Sequence, residues 1–230
     1  QTVTVNYATA DGTAEAGNDY TAASDTLTFA PGDLSKTIDV TILADTVHEE
    51  NETFTIALNT PSNATVSGIS GSATITITDD DDAPTISLGD LSVTEEAGIQ
   101  NLVATLSTAS ERVVSVTYAT SDNTASAGDD YTAGTGTITF NVGDTTKNVP
   151  VAILEDSIDE DDEIVTVTLG NPSNVTLNDH IGELTISDDD VEPTLTISDV
   201  VTVNEAAVIN SATVSLSSAS EKTVSVNYAT

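Results

Sequence analysis

The sequence has 230 residues, of which 38 are acidic and four are basic, so its formal net charge at pH 7 is −34. This charge excludes nucleic acids and anionic membranes as partners, because both are bound through Lys and Arg. There is no Cys, which excludes disulfides and thiolate metal sites.

The apolar residues indicate a folded protein. They make up 38% of the sequence and fall in alternating runs, whereas a disordered acidic chain lacks such runs. No stretch of about 18 apolar residues occurs, so we expect no membrane insertion in this segment.

In chain order, the first feature is a repeated motif. The sequence "VNYATADGTAEAGNDYTAASDTLTF" at 5–29 matches "VTYATSDNTASAGDDYTAGTGTITF" at 116–140, which aligns Val5 with Val116. The stretch "VSVNYAT" at 224–230 begins the motif a third time. This spacing is the length of an ordinary domain, so it suits one domain per repeat. We therefore expect a partial repeat at 1–82 (strands C–G), a complete repeat at 83–190 and the start of a third repeat at 191–230 (strands A–C).

Every segment of the complete repeat has the pattern of a β-strand, because polar and β-branched apolar residues alternate between clusters of Gly, Pro, Asn and Asp. The seven expected strands, A to G, are 85–95, 102–107, 113–120, 135–140, 147–154, 164–169 and 182–187. Seven short strands in a segment of this length predict an all-β protein made of tandem immunoglobulin-like antiparallel β-sandwiches.

The acidic residues are expected to gather at one end of each sandwich. Loops alternate between the two ends of an antiparallel sandwich, so the end of strand A, the C–D and E–F loops and the end of strand G lie together. Those four segments hold the acidic clusters, which are Glu95 and Glu96, Asp129 and Asp130, the run "EDSIDEDDE" at 155–163, and Asp188 to Asp190. The first repeat has Asp19, Asp45, Glu49, Glu50, Glu52 and Asp79 to Asp82 at the corresponding places.

The four basic residues follow the opposite rule. Arg112 and Lys222 fall in B–C loops, and Lys36 and Lys147 fall beside D–E loops. Each repeat is therefore expected to be acidic at one end and weakly basic at the other. Because "DDDDAP" and "DDDVEP" join successive repeats directly, we expect the acidic end of one repeat to face the basic end of the next.

Such crowding of like charges indicates a bound cation. Two carboxylates about 4 Å apart repel by ~1 kcal/mol in water and ~4 kcal/mol at an effective dielectric constant near 20. Calcium accepts six to eight oxygen ligands in flexible geometry, whereas Zn²⁺ prefers His or Cys and Mg²⁺ rarely uses an all-protein cage. Because Cys is absent and His48 and His180 fall at opposite ends, the pattern favours Ca²⁺ as the bound cation.

The motifs "YATADGTAEAGNDY", "LTFAPGDLSKTIDVTI", "HEENETFTIAL" and "ATITITDDD" resemble the Calx-beta domain. The resemblance implies a β-sandwich that binds several Ca²⁺ ions at one end. The ligands that it implies are Asp19, Asp45, Glu49, Glu52, Asp79, Asp80 and Asp81 in the first repeat, and Glu95, Asp130, Glu155, Asp156, Glu160, Glu163, Asp188, Asp189 and Asp190 in the complete repeat. Ala44 stands where the complete repeat has Glu155, so we expect fewer or weaker ions in the first repeat.

The family is known from the cytosolic calcium sensor of sodium/calcium exchangers and from tandem arrays in bacterial surface proteins. Our leading interpretation is a calcium-rigidified stalk or filament for adhesion or matrix assembly, on a bacterial cell surface or otherwise outside the cell. The alternative is a calcium sensor coupled to a neighbouring domain. Expected partners are neighbouring repeats of the same chain, or head-to-tail copies in which one copy completes the sandwich of another. The sequence shows no nucleophile with an adjacent base, so we do not expect an enzyme.

Overall fold

The computed structural model describes residues 1–68, 71–198, 202, 204–206 and 211–229. The chain divides into two compact units, one of Gln1–Ala83 with Ala109–Arg112 and one of Pro84–Thr108 with Val113–Thr230. The strands are β1 (Val3–Asp11), β2 (Ser24–Phe29), β3 (Glu52–Ser62), β4 (Ser72–Ile77), β5 (Thr85–Leu88), β6 (Leu91–Thr94), β7 (Ile99–Leu106), β8 (Val114–Asp122), β9 (Tyr131–Thr132), β10 (Thr135–Phe140), β11 (Thr146–Ile153), β12 (Glu163–Ser173), β13 (Thr176–Asp179), β14 (Ile181–Ser187), β15 (Leu195–Ile197) and β16 (Val214–Leu216).

The described residues contain one helical element, a single 3-10 turn at Glu95–Ala97. None of them forms a helix with the length and hydrophobicity that a membrane crossing requires.

The second unit is a β-sandwich of two five-stranded sheets. One sheet has the order β10-β8-β12-β14-β6, and the other has the order β13-β5-β7-β11-β9. Neighbouring strands are antiparallel except for the pairs β13–β5 and β14–β6. The all-β, immunoglobulin-like fold class expected from the sequence is confirmed.

Strict alternation of apolar residues produces the core of this sandwich. On β12, Val165, Val167 and Leu169 are buried while the residues between them are more exposed. Val149 and Val151 on β11 belong to the same core from the opposite sheet. Because side chains on a strand point alternately to its two faces, each strand contributes every second residue to the interior.

The first strand of the complete repeat differs from the expectation of one strand at 85–95. It is divided into β5, which pairs with β7 in one sheet, and β6, which pairs with β14 in the other. Gly89 and Asp90 make the crossing, and the Asp90 carboxylate accepts a hydrogen bond of 2.9 Å from the Glu183 backbone N–H. A Cβ at Gly182 would lie 2.9 Å from Leu88 and 3.0 Å from the Gly89 carbonyl oxygen, so the crossing requires glycine at position 182.

The first unit has one four-stranded antiparallel sheet with the order β2-β1-β3-β4. Residues 36–43, which align with the expected E strand at 147–154, form only an isolated bridge between Ile42 and Tyr20. In the second unit, the equivalent strand β11 pairs with β7. Within the described residues, the backbone hydrogen bonds of Thr21 with Thr41 and of Leu43 with Asp19 flank this bridge, and 36–43 pair with none of the named strands.

The third expected repeat is described in part. Strands β15 and β16 pair in an antiparallel two-stranded sheet. Residues 199–201, 203 and 207–210 of its expected front strands, together with Thr230, lie outside the described residues, and 223–229 are not in a strand. The boundaries of the three expected repeats stay a prediction.

Phe140 offers a test of the sandwich core, because its ring is 0% exposed between the two sheets. We expect Phe140→Ala to lower the free energy of unfolding of the second unit by about 3–5 kcal/mol through lost burial and a residual cavity. Hydrogen exchange of the β8 and β12 amides measures this change in the intact chain. The matched control is Val142→Ala, which truncates a side chain that is 57% exposed and should shift stability by less than about 0.5 kcal/mol. Equal effects of the two variants would contradict the core assignment.

Candidate metal centre

The acidic end of the second unit is built from four segments that are distant in sequence. Glu95 begins the 3-10 turn that follows β6, and Asp130 immediately precedes β9. The connection 154–162 links β11 to β12, and Asp188 to Asp190 follow β14. The sandwich topology therefore brings these segments to one end, as the sequence predicts.

A buried tyrosine fixes the position of Asp130. Tyr131 is 1% exposed, and its hydroxyl donates a hydrogen bond of 2.6 Å to Oδ1 of Asp122. The Asp130 carboxylate in turn accepts a hydrogen bond of 2.6 Å from the Ser126 backbone N–H. Gly128 has a φ of 106°, a conformation that favours glycine and that allows this tight turn. The motif "GDDY" thus holds one carboxylate oxygen of Asp130 while leaving its other oxygen available to a ligand.

The neighbouring segments are tied to the same framework. The Asp130 carbonyl oxygen accepts a hydrogen bond from Leu154, and the Gly98 carbonyl oxygen accepts one from Ile153. Within the connection, Oδ1 of Asp156 accepts a hydrogen bond of 2.7 Å from the backbone N–H of Ile158. These bonds connect the start of the 154–162 connection to both the 3-10 turn and the "GDDY" turn.

Two groups of three carboxylates result in the second unit. Glu95, Asp156 and Asp190 form one group, and Asp130, Glu160 and Glu163 form the other. In each group one oxygen from every residue lies within 4.8 Å of the others. Oxygens bound to one calcium ion lie about 2.4 Å from it and so at most about 4.8 Å from each other. The spacing of each group is therefore compatible with a shared ion.

These carboxylates are withdrawn from water. Glu95 and Glu160 are each only 7% exposed. Burial, followed by repulsion from neighbouring acids, raises the pKa of Glu95 and of Glu160 to about 7. Burial also raises the pKa of Glu163, and the neighbouring Asp130 raises it further. In its ionised form the cluster is therefore destabilised unless a positive charge enters it.

Unsatisfied oxygen atoms show that the cluster suits a metal ion. Oε2 of Glu163 and Oδ2 of Asp190 are buried and accept no hydrogen bond from any described residue. Buried polar atoms in folded proteins are nearly always paired, so an unpaired carboxylate oxygen in each of two groups indicates room for a further partner. Because the donors are all carboxylates, a hard divalent cation such as Ca²⁺ fits them better than Zn²⁺ does.

The first unit repeats the arrangement with its own residues. Asp19, Glu49 and Glu52 form a group whose oxygens lie within 4.8 Å of one another. The Tyr20 hydroxyl donates to Asp11 at 2.6 Å, and the Asp19 carboxylate accepts a bond of 2.6 Å from Glu15, which reproduces the tyrosine-anchored turn of the second unit. Burial and the nearby Asp19 raise the pKa of Glu52.

The other predicted ligands lie beside these groups. Asp45, Asp79, Asp80 and Asp81 line a cavity of about 100 Å³ that Asp19, Glu49 and Glu52 also line. In the second unit, burial raises the pKa of Asp190, and the charges of Asp188, Asp189 and Glu155 raise it further. Asp188 also forms an ion pair of 3.4 Å with Lys222. The structure thus gathers the predicted residues at one end of each unit, although only nine of them form tight groups.

Two residues at this end, Asp159 and Ser220, are not among the residues predicted from the sequence. Asp159 is 3% exposed and accepts hydrogen bonds from Ser220 and from Lys222 at 2.8 and 2.7 Å. The repeated letters "ASER" at 109–112 and "ASEK" at 219–222 were the available signal, since they place serine and a basic residue at the same spacing.

All four basic residues of the chain form ion pairs with acids. Lys36 pairs with Asp33 and Lys147 with Asp144, three residues earlier in each case. Arg112 pairs with Glu50, and Lys222 pairs with Asp159. Among the described residues, none of these pairs involves a member of the three tight carboxylate groups.

Two sodium/calcium exchangers are similar in sequence to this chain. Sodium/calcium exchanger Calx of Drosophila melanogaster is 33% identical over 170 residues, which are 73% of this chain and 18% of the exchanger. Sodium/calcium exchanger 1 of Canis lupus familiaris is 30% identical over 198 residues, covering 77% of this chain and 20% of the exchanger. The chain therefore spans about a fifth of the length of these relatives.

Two solved structures of Calx calcium-binding domains are similar to parts of this chain. The apo-form Calx CBD1 domain is 29% identical and matches 47% of this chain and all of its own length, with a TM-score of 0.46. The CBD12 structure from CALX1.2 is 25% identical and matches 81% of this chain and 87% of its own, with a TM-score of 0.43.

A family model matches the chain twice in tandem, at residues 1–82 and 79–190. These two matches together cover more than half of the sequence and confirm the resemblance that the motifs carried. The chain belongs to the Calx-beta domain family.

Proposed function

We propose that this chain is a calcium-sensing module, in which Ca²⁺ binds the carboxylate groups at the acidic end of each unit and alters the behaviour of a longer protein. In the second unit the proposed ligands are Glu95, Asp156 and Asp190 for one group and Asp130, Glu160 and Glu163 for the other. In the first unit they are Asp19, Glu49 and Glu52. Asp45, Glu155, Asp79 to Asp81, Asp188 and Asp189 supply further ligands at the same ends.

One observation carries this proposal. Carboxylates from four separate segments are held together and partly buried, and oxygens of Glu163 and Asp190 lack any described partner. An ionised cluster of this kind is unfavourable by itself, whereas a bound divalent ion turns each repulsion into an attraction. Binding therefore supplies the free energy that orders the four segments, which is the physical basis of a sensor.

The identity of the relatives favours a sensor over a purely structural element. The curated relatives described above are named as sodium/calcium exchangers, and that name includes the ion that these carboxylates suit. A regulatory module in such a protein must respond within the range of calcium concentrations that the protein controls. The proposal is for a binding module, and the expectation of no enzymatic activity stays a prediction.

A calcium-rigidified stalk is the second candidate function. It is favoured by the turn at 219–222, which the Ser220 and Lys222 contacts with Asp159 fix to the acidic end of the unit. A tandem chain with such fixed turns would stiffen when calcium is bound. The surface-exposed or extracellular location, adhesion and filament formation belong to this candidate and stay predictions.

Calcium titration by isothermal calorimetry distinguishes the two functions. We expect the 230-residue chain to bind more than one Ca²⁺ ion, with dissociation constants of about 10⁻⁷–10⁻⁵ M for a sensor and about 10⁻⁴–10⁻³ M for an extracellular structural module. Magnesium at the same concentrations is the control for nonspecific charge neutralisation. No heat of binding up to millimolar calcium would contradict both functions.

The Glu160→Gln variant tests the second group directly. It keeps the size of a 7% exposed side chain while removing its charge, so calcium affinity at this group should fall by about 10-fold or more. In chelator, the same variant should melt at a temperature equal to or above that of the wild type, because one repulsion is removed. The matched control is Glu183→Gln, which neutralises an exposed acid on β14 and should leave calcium affinity unchanged.

The pH dependence of stability provides another test. The pKa values of Glu95 and Glu160 are raised from 4.5 to about 7 in the folded chain, so their neutral forms stabilise the fold below about pH 4.5, and this contribution is lost as the pH rises through 7. We expect the melting temperature in chelator to fall between pH 5 and pH 8. Saturating calcium should reverse this fall, because it binds the ionised forms. A melting temperature in chelator that rises over this interval would contradict the described cluster.

A further inference from the structure

The two turns "ASER" at 109–112 and "ASEK" at 219–222 make the same contacts in the two units. Ser110 donates its hydroxyl proton to the His48 carbonyl oxygen at 3.0 Å, and Ser220 does the same to the Asp159 carbonyl oxygen at 3.1 Å. The turn at 109–112 belongs to the first compact unit, and the turn at 219–222 belongs to the second. By sequence, the turn at 109–112 belongs to the second expected repeat and contacts the first, and the turn at 219–222 belongs to the third and contacts the second.

The backbone of each turn is fixed as well. The N–H groups of Glu111 and Glu221 donate to the same carbonyl oxygens, those of His48 and Asp159, at 3.1 Å in both units. The next residue then donates its N–H back to the serine hydroxyl, at 3.0 Å for Arg112 and 3.1 Å for Lys222. These matching hydrogen bonds give the backbone around Glu111 and Glu221 the same conformation in the two turns.

The basic side chains of the turns form ion pairs with acidic residues that are not members of the tight carboxylate groups. Arg112 donates to Glu50 at 2.6 Å, and Lys222 donates to Asp159 at 2.7 Å. The carboxylate groups themselves keep their negative charge, because these ion pairs do not reach them. The turns therefore attach to the acidic end without pairing with a member of the tight carboxylate groups, although Lys222 also lies 3.4 Å from Asp188 beside them.

The glutamate of each turn adds a further negative charge to the cluster. Glu111 lines a cavity of about 610 Å³ together with Asp19, Asp45, Glu49 and Glu52. After burial and closer acids, its charge contributes to the raised pKa of Glu49 and Glu52. In the second unit, the charge of Glu221 is the largest cause after burial of the raised pKa of Glu160, and it contributes to the raised pKa of Glu163 after burial, Asp130 and Glu160. Within the described residues, neither glutamate side chain forms a hydrogen bond or an ion pair.

A second observation shows that the cluster near Glu221 suits a ligand. Glu160 is 7% exposed and its carboxylate receives no hydrogen bond from the described residues, while Oε2 of Glu163 is buried and unpaired. Each tight group offers three carboxylates, whereas Ca²⁺ takes six to eight oxygen ligands. A fourth carboxylate, held beside the group by a fixed turn, is therefore a ligand that the ion can use, either directly or through one bound water.

We propose that Glu111 and Glu221 are additional calcium ligands, delivered to the acidic cluster of one repeat by the Ser-Glu-base turn of the repeat that follows it. This inference rests on the proposed calcium function and adds to it a coupling between repeats. Each cluster reaches its full affinity only when the following turn is docked. Calcium bound at that cluster in turn holds the docked turn in place, because binding and docking are linked reciprocally.

The test uses the full 230-residue chain, with Glu111→Gln, Glu221→Gln and the double variant compared with the wild type by calcium calorimetry. We expect each single variant to weaken calcium binding at its own cluster about 10-fold, and the double variant to weaken both. In chelator, the melting temperature of the variants should equal or exceed that of the wild type, since a repulsion is removed. The Glu183→Gln control should match the wild type in both measurements.

High salt separates direct ligation from a general field effect. At about 1 M monovalent salt the screening length is about 3 Å, so a loss of affinity that comes only from net charge should disappear. The loss caused by a missing ligand should persist. Wild-type affinity in Glu111→Gln and Glu221→Gln, or a loss that vanishes in high salt, would overturn this inference while leaving the calcium function intact. Failure of the wild-type chain to bind calcium would instead overturn the proposed function.

Discussion

Repulsion between carboxylates held at one end of a β-sandwich is the constraint on which the rest of the structure depends. Glu95 and Glu160 are nearly buried, and one oxygen each of Glu163 and Asp190 is unpaired among the described residues. Buried carboxylates without a partner are strongly unfavourable when ionised. The acidic end is therefore best understood as half of an interaction whose other half is a cation.

The framework that opposes this repulsion is rigid and local. Tyr20 and Tyr131 are each 1% exposed, and each donates a hydrogen bond to the last residue of a strand, Asp11 of β1 and Asp122 of β8 respectively. In the first unit Tyr20 also stacks on Phe54, with ring centroids 4.1 Å apart. These two tyrosine hydrogen bonds do not involve the ligand carboxylates, so the turn that carries Asp19 or Asp130 has an anchor that does not depend on a bound ion. This is the preorganisation that a selective ion site requires.

Much of the architecture could be predicted from the sequence, because period-two alternation and a repeat of domain length are both visible in the order of residues. The gathering of acids at one end followed from strand order alone. Three features could not be predicted, because each depends on a contact between distant segments. They are the split of the first strand at Gly89, the missing pairing of residues 36–43 and the place of Glu111 beside the carboxylates of the first unit. Strand pairing needs a neighbour that the sequence pattern cannot supply, and an isolated glutamate in a turn gives no sign of the cavity that it lines.

The pairing of every basic residue has a consequence for how ions arrive. Lys36, Arg112, Lys147 and Lys222 are each occupied by a nearby acid, so the remaining acids are balanced only by mobile ions from solution. A molecule with a formal charge of −34 creates a potential that concentrates cations around it and speeds their diffusion towards the acidic ends. Monovalent cations accumulate in the same potential and screen it. The ionic strength of the solution therefore affects both the rate and the selectivity of divalent ion binding.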